Sequence, residues 1–194
     1  MKPFYFVISF LLICNLSRSQ VLVKAFPGLP ELIHPNYLGS KNIIPIAVLD
    51  FSSKGISEKI PIFYSMFVLP VDSSLFFENK DFIDRYSYRI INDQIYIPLF
   101  AKEALKIPDE YSKYFEKEKA KVDSFKQHGS INSYLKFYDV PEWWQNDRTP
   151  IDPDGKPMKF LCQIELYDIT GNDCMLYVFY ERKRKIIKYV YQWD

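Results

Sequence analysis

The chain has 194 residues, with 25 basic and 24 acidic side chains and a formal net charge of +1 at neutral pH. Charges so nearly balanced create no field that would gather nucleic acid or an anionic membrane surface. Aromatic residues make up 18% of the sequence, a composition too apolar for a disordered chain. Composition therefore favours a folded protein and argues against nucleic acid as a partner.

The first residues have the order of a secretory signal peptide. Lys2 is followed by the apolar run 4–14 and then by a short polar stretch that ends at Ser19. We predict that residues 1–19 are a signal peptide, removed as the protein is exported to the periplasm or secreted. The apolar run is only about ten residues long, whereas a membrane-spanning helix needs about 20, so a signal peptide is favoured over a transmembrane helix. We expect no transmembrane segment in the mature chain.

Cys14 leaves a second form of export open. It closes the apolar run as the lipidated cysteine of a bacterial lipoprotein does, so the alternative is a protein anchored through Cys14. Processing at such a cysteine favours a small preceding residue, whereas this chain has Ile13. Ordinary export is therefore the favoured reading.

The mature chain, residues 20–194, has the length of one domain that can bury about 70% of its unfolded surface without needing a disulfide. Two of its residues are cysteines, Cys162 and Cys174. They can pair in an oxidising compartment, but a bridge needs Cα atoms within about 7 Å. The sequence leaves both a disulfide and two buried thiols open.

Strand patterns dominate the first half of the mature chain. Runs rich in Ile, Val and Phe predict strands at 43–51 and 62–71, with a turn between them. Residues 86–99 alternate on either side of Asn92 and Asp93, which predicts a hairpin. Pro98 ends its second strand or places that strand at a sheet edge.

One long helix is predicted near 109–127. Pro108 and Asp109 give a start signal, and Gly129 gives a stop. Its apolar side chains recur at helical spacing along one face; they are Tyr111, Tyr114, Phe115, Val122 and Phe125. Shorter helices are expected around 81–86 and 100–105.

The end of the chain gives the clearest β pattern. The runs 159–167, 174–181 and 186–193 predict an antiparallel three-stranded meander, with the basic residues 182–185 as a solvated turn. The expected fold class is therefore α+β, a β-rich single domain with antiparallel sheets and one long helix.

Side-chain alternation divides the first strand of this meander into two faces. Phe160, Cys162, Ile164 and Leu166 are predicted to share the core face. Gln163 lies on the other face with Lys159 and Glu165, so it points away from the main core unless a second layer covers that side.

Patterns for metal, phosphate and nucleophile chemistry are missing from the sequence. His34 and His128 stand far apart, and neither CxxC nor HxxxH spacing is present. No Walker loop, GxGxxG or GxSxG occurs. We therefore predict no metal and no cofactor, assign no catalytic residue, and favour a non-enzymatic role.

Asp152 and Asp154 in "IDPDGKP" are a tempting carboxylate pair. The string is typical of a turn, since proline fixes φ and glycine supplies a positive φ. It lacks the further acidic positions of a calcium loop. We therefore interpret it as a turn.

The adjacent Trp143 and Trp144 have the strongest claim to function. Neighbouring side chains of an extended segment point to opposite sides, so at most one of them enters the core. Packing between layers is the commoner fate, but an exposed tryptophan can anchor a partner protein or stack on a sugar. The candidate ligand-binding residues are Trp143, Trp144, Gln145 and Gln163.

The stretches "PEWWQ", "TP", "GKPMKFLCQI" and the closing "LYVFY" to "KYVYQW" stand in the order of a family signature. Over this C-terminal quarter the chain resembles the YwqG-like family of uncharacterised bacterial proteins. The recurring residues of that family fall here on Trp144, Gln145, Pro150, Gly155, Pro157, Met158, Phe160, Gln163 and Ile164. The resemblance implies a β-rich α+β domain with no established activity.

Some members of that family carry CxxC pairs that suggest zinc. The corresponding places here read "IDPDGK" and "YERKRK", so the resemblance implies no metal for this chain. Relatives occur near polymorphic toxin systems, which makes an immunity-like binding role an analogy drawn from the family.

The sequence has no motif for catalysis, metal binding or phosphate binding, and it is rich in aromatic residues, which are enriched at interfaces. These two features favour an exported, non-enzymatic module that binds an unknown protein partner. The alternative is a glycan-binding protein or weak glycan hydrolase of the cell envelope, with a tryptophan platform and carboxylates from elsewhere in the fold. A purely structural role in the envelope is the third possibility.

Overall fold

The computed structural model describes residues 20–37, 42–65, 86–92 and 95–194. The predicted signal peptide 1–19, the strand residues 66–71, the helix residues 81–85 and the turn residue Asp93 lie outside these ranges. Within the described residues the fold is α+β and rich in strand, with two antiparallel sheets and one long helix, which confirms the predicted class.

The smaller sheet has three strands in the order β1-β2-β3. They are β1 (Leu22–Ala25), β2 (Ile44–Asp50) and β3 (Lys59–Tyr64). A short 3-10 turn, Ser52–Lys54, joins β2 to β3 and closes at Gly55, whose φ of +76° suits a residue without Cβ. The first two predicted strands are thus present, the second beginning earlier than expected.

The larger sheet has six strands in the order β5-β4-β9-β8-β7-β6. They are β4 (Ser87–Asn92), β5 (Ile95–Pro98), β6 (Leu135–Lys136), β7 (Lys159–Glu165), β8 (Cys174–Glu181) and β9 (Ile186–Trp193). Strands β7 to β9 form the predicted meander, and β4 pairs with β5 as the predicted hairpin. Pro98 ends β5 at the sheet edge, as expected.

The long helix α1 (Asp109–His128) has nearly the predicted bounds, and Gly129 follows its last residue. It buries Phe115 and Val122, whereas Tyr114 at the border of the apolar face is 63% exposed. The expected helix near 100–105 is a 3-10 turn, Lys102–Leu105, and a short helix α2 (Tyr167–Thr170) joins β7 to β8. No helix in the described ranges is both apolar and long enough to cross a membrane.

The main core lies between the two sheets, where tyrosine hydroxyls from the larger sheet bond to one edge of the smaller sheet. Tyr96 donates to the Lys59 carbonyl at 2.6 Å, and Tyr189 donates to the Pro61 carbonyl at 2.7 Å. Tyr191 donates to Phe63 O at 3.2 Å. These alternate carbonyls of β3 point away from β2, so the hydroxyls satisfy an edge that none of the described strands pairs.

The outer face of the larger sheet carries a second apolar cluster. It contains Met158, Met175, Tyr177, Phe179 and Val190, with Trp143 and Phe160 packed against it. The chain from Pro141 to Met158 contributes two of these residues and covers the cluster. A second layer therefore covers the face on which Gln163 was predicted.

The prediction for Phe160 was wrong. Cys162, Ile164 and Leu166 do lie in the main core, but Phe160 packs on the outer cluster. The register of β7 against β8 shifts between Phe160 and Cys162, and an extra residue reverses the alternation of side chains on that strand.

Cys162 and Cys174 are both free and buried. In the ladders of the sheet Cys162 lies opposite Val178, while Cys174 lies opposite Trp193 on the far side of β8, so neither faces the other. Burial raises the pKa of the Cys162 thiol and raises that of Cys174 to about 12. Both thiols are protonated core groups with little nucleophilic character.

Candidate functional site

The tryptophan loop, defined as residues 141–149, crosses the outer face of the larger sheet and is held there by side chains of the sheet. The side-chain oxygen of Gln163 accepts from the Glu142 N–H at 2.9 Å. The Tyr177 hydroxyl donates to the Glu142 carbonyl at 2.9 Å and accepts from the Trp144 N–H at 2.9 Å. Two strand residues thus fix the start of the loop.

Gln192 of β9 fixes the middle of the loop. Its side-chain oxygen accepts from the N–H groups of Trp144 at 3.0 Å and Gln145 at 3.1 Å, and its Nε2 donates to the Asn146 carbonyl at 2.8 Å. Gln192 is 1% exposed, so its side-chain amide is shielded from water on the sheet side of the loop. An amide suits this place because it carries a donor and an acceptor together.

The two tryptophans have different surroundings. The Trp143 ring lies 4.4 Å from that of Tyr177 and 5.9 Å from that of Phe179, nearly parallel to the latter at 16°. Trp144 is 39% exposed. This is the division expected for adjacent residues of an extended segment, with Trp143 packed between layers.

The structure places the four candidate residues in or against the tryptophan loop, with Gln163 contacting it from β7. They differ in how accessible they are to a ligand. Gln163 is 2% exposed and Trp143 is packed on the sheet, so both act on the loop itself. Gln145 is exposed, and its side-chain amide donates to the Trp193 carbonyl at 2.6 Å. Trp144 is the candidate whose ring a partner can contact over a large area.

The segment "IDPDGKP" is a turn, as predicted. The Asp152 carboxylate accepts from the N–H groups of Asp154 and Lys156, both at 2.8 Å, and Gly155 has φ of +79°. Asp154 pairs with Arg184 at 2.7 Å and Lys183 at 2.9 Å. Hydrogen bonds from these two cations lower the pKa of the exposed Asp154 carboxyl to about 2.

Two carboxylates near this turn line the same shallow clefts. They are Asp152 and Glu181. Glu181 accepts from the N–H groups of Lys183 and Arg184 at 2.7 Å each, just as Asp152 accepts from its own turn. Both carboxylates therefore stabilise the turns in which they lie.

Another concave site, which we name the Glu118 cleft, was missed by the sequence reasoning. Its volume is about 340 Å³. Helix α1 meets the ends of β3 and β9 and the turn after α2 there. The lining residues are Tyr64, Ser65, Tyr111, Tyr114, Glu118, Asn172 and Trp193.

The polar floor of this cleft is a hydrogen-bonded triad. Tyr64 donates to Oε2 of Glu118 at 2.8 Å, and the Asn172 amide donates to Oε1 of Glu118 at 2.8 Å and also to the Tyr64 hydroxyl. Burial raises the pKa of the Glu118 carboxyl, while these two hydrogen bonds partly offset the rise. Burial and the neighbouring Glu118 charge raise the pKa of Tyr64.

One signal for this site was present in the sequence. At about 100° per residue, Glu118 falls inside the apolar face of α1, between the directions of Tyr111 and Phe125. An acidic residue in an apolar face is a candidate for a special role. Asn172 and Tyr64 carried no such signal, because only the fold brings them to α1.

The tryptophan loop and the Glu118 cleft adjoin at Trp193. Its carbonyl accepts the Gln145 side chain, and its ring lines the cleft. Trp143, Trp144 and Gln163 do not line the cleft. Among the described residues, no group of three or more His, Cys, Asp or Glu is placed to hold a metal ion.

Comparison of the chain with known protein families, with curated proteins and with solved structures finds no match in any of the three. The YwqG-like resemblance of the C-terminal quarter stays a prediction. Functional inference for this chain therefore rests on its own residues and their geometry.

Proposed function

We propose that this chain is a non-enzymatic module that binds a protein partner through the surface around Trp144. The observation that carries the proposal is the exposed Trp144 ring on a loop whose backbone is fixed by Tyr177 and Gln192. Tryptophan is enriched among the residues that dominate binding energy at protein interfaces.

Preorganisation supports this role. A loop that is ordered before binding loses less conformational entropy when a partner arrives. Val140, immediately before the loop, is 69% exposed and adds apolar surface in the same part of the chain. Trp144 and Val140 together resemble the aromatic and aliphatic anchors of an interface more than they resemble a reaction centre.

The use of the carboxylates supports a non-enzymatic role. Glycoside hydrolysis generally needs two carboxylates facing one substrate. Asp152 and Glu181 accept hydrogen bonds from their own turns. Among the described residues that line the Glu118 cleft, Glu118 is the one carboxylate, so the cleft offers no carboxylate pair. A glycan remains our second candidate ligand, because an exposed tryptophan ring can also stack on a sugar.

The test begins with capture of partners from a cell-envelope extract on immobilised protein. Wild type is compared with Trp144→Ala and with Tyr167→Ala, a control because Tyr167 is also an exposed aromatic residue, at 51%, and lies on helix α2 outside the tryptophan loop. The protein retained by wild type is then purified and its Kd is measured for all three. Trp143→Ala is unsuitable as a probe, since Trp143 supports the loop.

We expect Trp144→Ala to weaken binding about thirtyfold, as truncation of a hot spot of 2 kcal/mol does. Tyr167→Ala should bind as wild type does. Equal binding by Trp144→Ala, with its thermal unfolding unchanged, overturns the proposal. A glycan array probed with the same variants separates the second candidate, which predicts glycan binding that Trp144→Ala loses.

We further propose that the module acts after export, on the basis of residues 1–19. Metabolic labelling with a fatty acid, compared between wild type and Cys14→Ala, distinguishes free export from lipid anchoring. Label that depends on Cys14 would establish the anchored form.

A further inference from the structure

The Glu118 cleft places a partly buried carboxylate among aromatic rings. Tyr111 and Tyr114 lie on successive positions of one face of α1, and Trp193 comes from the end of β9. The Trp193 ring stacks on Tyr191 at 5.7 Å and 15°, which fixes that wall. The site therefore has a polar floor and aromatic walls built on rigid elements.

The hydrogen bonds that the Glu118 carboxylate accepts come from two neutral side chains. Tyr64 and Asn172 each occupy one acceptor position of the carboxylate. A carboxylate has about four such positions, so acceptor capacity remains. Within the described ranges, no Lys or Arg forms an ion pair with Glu118.

The described residues around Glu118 provide hydrogen bonds but no ion pair with a basic side chain. Burial raises the pKa of Glu118, because the charged form has lost water without gaining a cation. The electron-rich faces of tyrosine and tryptophan attract cations, and their rings cover the apolar stem of a long basic chain. A positive group with an alkyl stem complements both features at once.

We propose that the Glu118 cleft binds an alkylammonium group, with the ammonium against the Glu118 carboxylate and the stem between Tyr111, Tyr114 and Trp193. The ammonium donates to the remaining acceptor positions of Glu118. Such charge-assisted hydrogen bonds are stronger than bonds between neutral groups. The inference concerns a site separate from Trp144 and does not depend on the proposed protein-binding function.

An alkylammonium group can come from a free amine or from a lysine side chain of another protein. Both present the same butyl stem and charged end. The cleft adjoins the tryptophan loop through Trp193, so a lysine of a partner bound at Trp144 is within the same surface region. The experiment includes one probe for each source.

Binding is measured by NMR titration of the purified protein, following the indole N–H of Trp193. The probes are n-butylammonium, its neutral counterpart n-butanol, Nα-acetyl-lysine methylamide and methyl β-glucoside. For groups of this size we expect dissociation constants of about millimolar order for the two amines. Butanol and the glucoside should leave the Trp193 signal unchanged at the same concentrations.

Two variants and one control test the assigned roles. Glu118→Gln keeps the shape but removes the charge, and it should weaken butylammonium binding about tenfold or more. Tyr114→Ala removes an exposed wall and should weaken it about threefold to tenfold. Glu116→Gln, an exposed position on the same helix, makes the same change in net charge and should have no effect.

Each outcome decides the matter. Loss of butylammonium binding in Glu118→Gln, with unchanged thermal unfolding, supports the proposal, and tighter binding of the lysine derivative indicates a protein source. Equal binding of butanol, or glucoside binding that survives Glu118→Gln, assigns the cleft to another ligand and overturns the proposal. Absence of binding by both amines overturns it as well. Tyr114→Ala keeps the test open if Glu118→Gln fails to fold.

Discussion

On the inner face of the six-stranded sheet, tyrosine hydroxyls hold the edge of a second sheet; on the outer face, two glutamines and a tyrosine hold a loop. Strand β9 takes part in both. Tyr189 and Tyr191 point inward to carbonyls of β3, whereas Gln192 points outward to the backbone of the tryptophan loop. Alternation along one strand thus separates two kinds of backbone recognition.

The difference follows from the backbone on each side. A strand edge presents carbonyls at regular spacing, and a hydroxyl on a rigid ring reaches each with one donor. A loop presents N–H and C=O groups close together, and the Gln192 amide satisfies both kinds. The inner face therefore uses tyrosine hydroxyls for the regular edge of a strand, and the outer face uses a glutamine amide for the irregular backbone of a loop.

The faces also differ in thickness. The inner side is a two-sheet core in which Tyr189 is 1% exposed, whereas the outer layer is a single loop that leaves Trp144 39% exposed. Damage to the inner contacts should therefore lower global stability, whereas damage to the outer contacts should loosen the loop and spare the sheet.

The largest expected effect is on the inner face. Tyr189→Ala removes a buried ring and should lower the free energy of unfolding by about 3–5 kcal/mol. Tyr189→Phe keeps the ring but leaves the Pro61 carbonyl without its donor, and it should cost about 1–3 kcal/mol. Urea unfolding measures both. Equal stability of Tyr189→Phe and wild type would show that the hydroxyl does not stabilise the β3 edge.

The next effect is on the outer face. Gln192→Ala leaves the Gln145 N–H and the Asn146 carbonyl without their partner, whereas the Trp144 N–H keeps the Tyr177 hydroxyl; the change should cost about 1–3 kcal/mol. Hydrogen exchange should become faster at the Gln145 amide, and to a smaller degree at the Trp144 amide, while the amides of β8 stay protected. Gln145→Ala removes one exposed bond and serves as the control. Uniform loss of protection across the sheet would contradict the separation of the two faces.

A smaller effect is expected at the turn that ends the outer layer. Gly155 has φ of +79°, and an added Cβ would meet no atom within 4 Å, so the cost of Gly155→Ala is conformational alone. We expect a loss of about 1 kcal/mol in thermal or urea unfolding. Gly28→Ala is the comparison at an ordinary φ of −66°; its added Cβ would lie 3.1 Å from Oε1 of the exposed Glu31 side chain, which has room to shift. If Gly155→Ala unfolds with the same stability as wild type, the backbone at Gly155 is not held in a conformation that needs glycine.

The sequence predicted regular elements well and the outer layer poorly. Periodicity was sufficient for α1 and the meander, because both present long apolar patterns to one core. Phe160 was misplaced because a bulge in β7 breaks alternation, and a bulge has no reliable signature in a single sequence. Gln163 was placed on the correct face, but nothing local indicated that a loop would bury it.

The candidate site shows the same limit. Trp143 and Trp144 stood out because they are adjacent and rare, and the structure divides their roles as alternation predicts. The Glu118 cleft needed Tyr64 and Asn172 from distant parts of the chain, and their meeting depends on tertiary packing. Glu118 itself could have been noticed as the acidic residue within the apolar face of α1.

The smallest effect tests the cleft through pH. Because burial holds the pKa of Glu118 above its ordinary value of 4.5, the folded state binds more protons than the unfolded state between those two values. This contribution to stability is therefore complete below the ordinary value and is lost as pH rises through the raised one. Carboxyls with lowered pKa, such as Asp154, give the opposite trend at lower pH, so the useful quantity is a difference between variants.

We expect the stability of wild type relative to Glu118→Gln to fall as pH rises above the ordinary carboxyl value of 4.5, as followed by urea unfolding, and a difference that does not change with pH would contradict this. Saturating butylammonium should reduce that fall, because a cation beside the carboxylate favours its charged form. A fall that butylammonium does not change would separate burial of Glu118 from cation binding, since burial alone explains the first and only an occupied cleft explains the second.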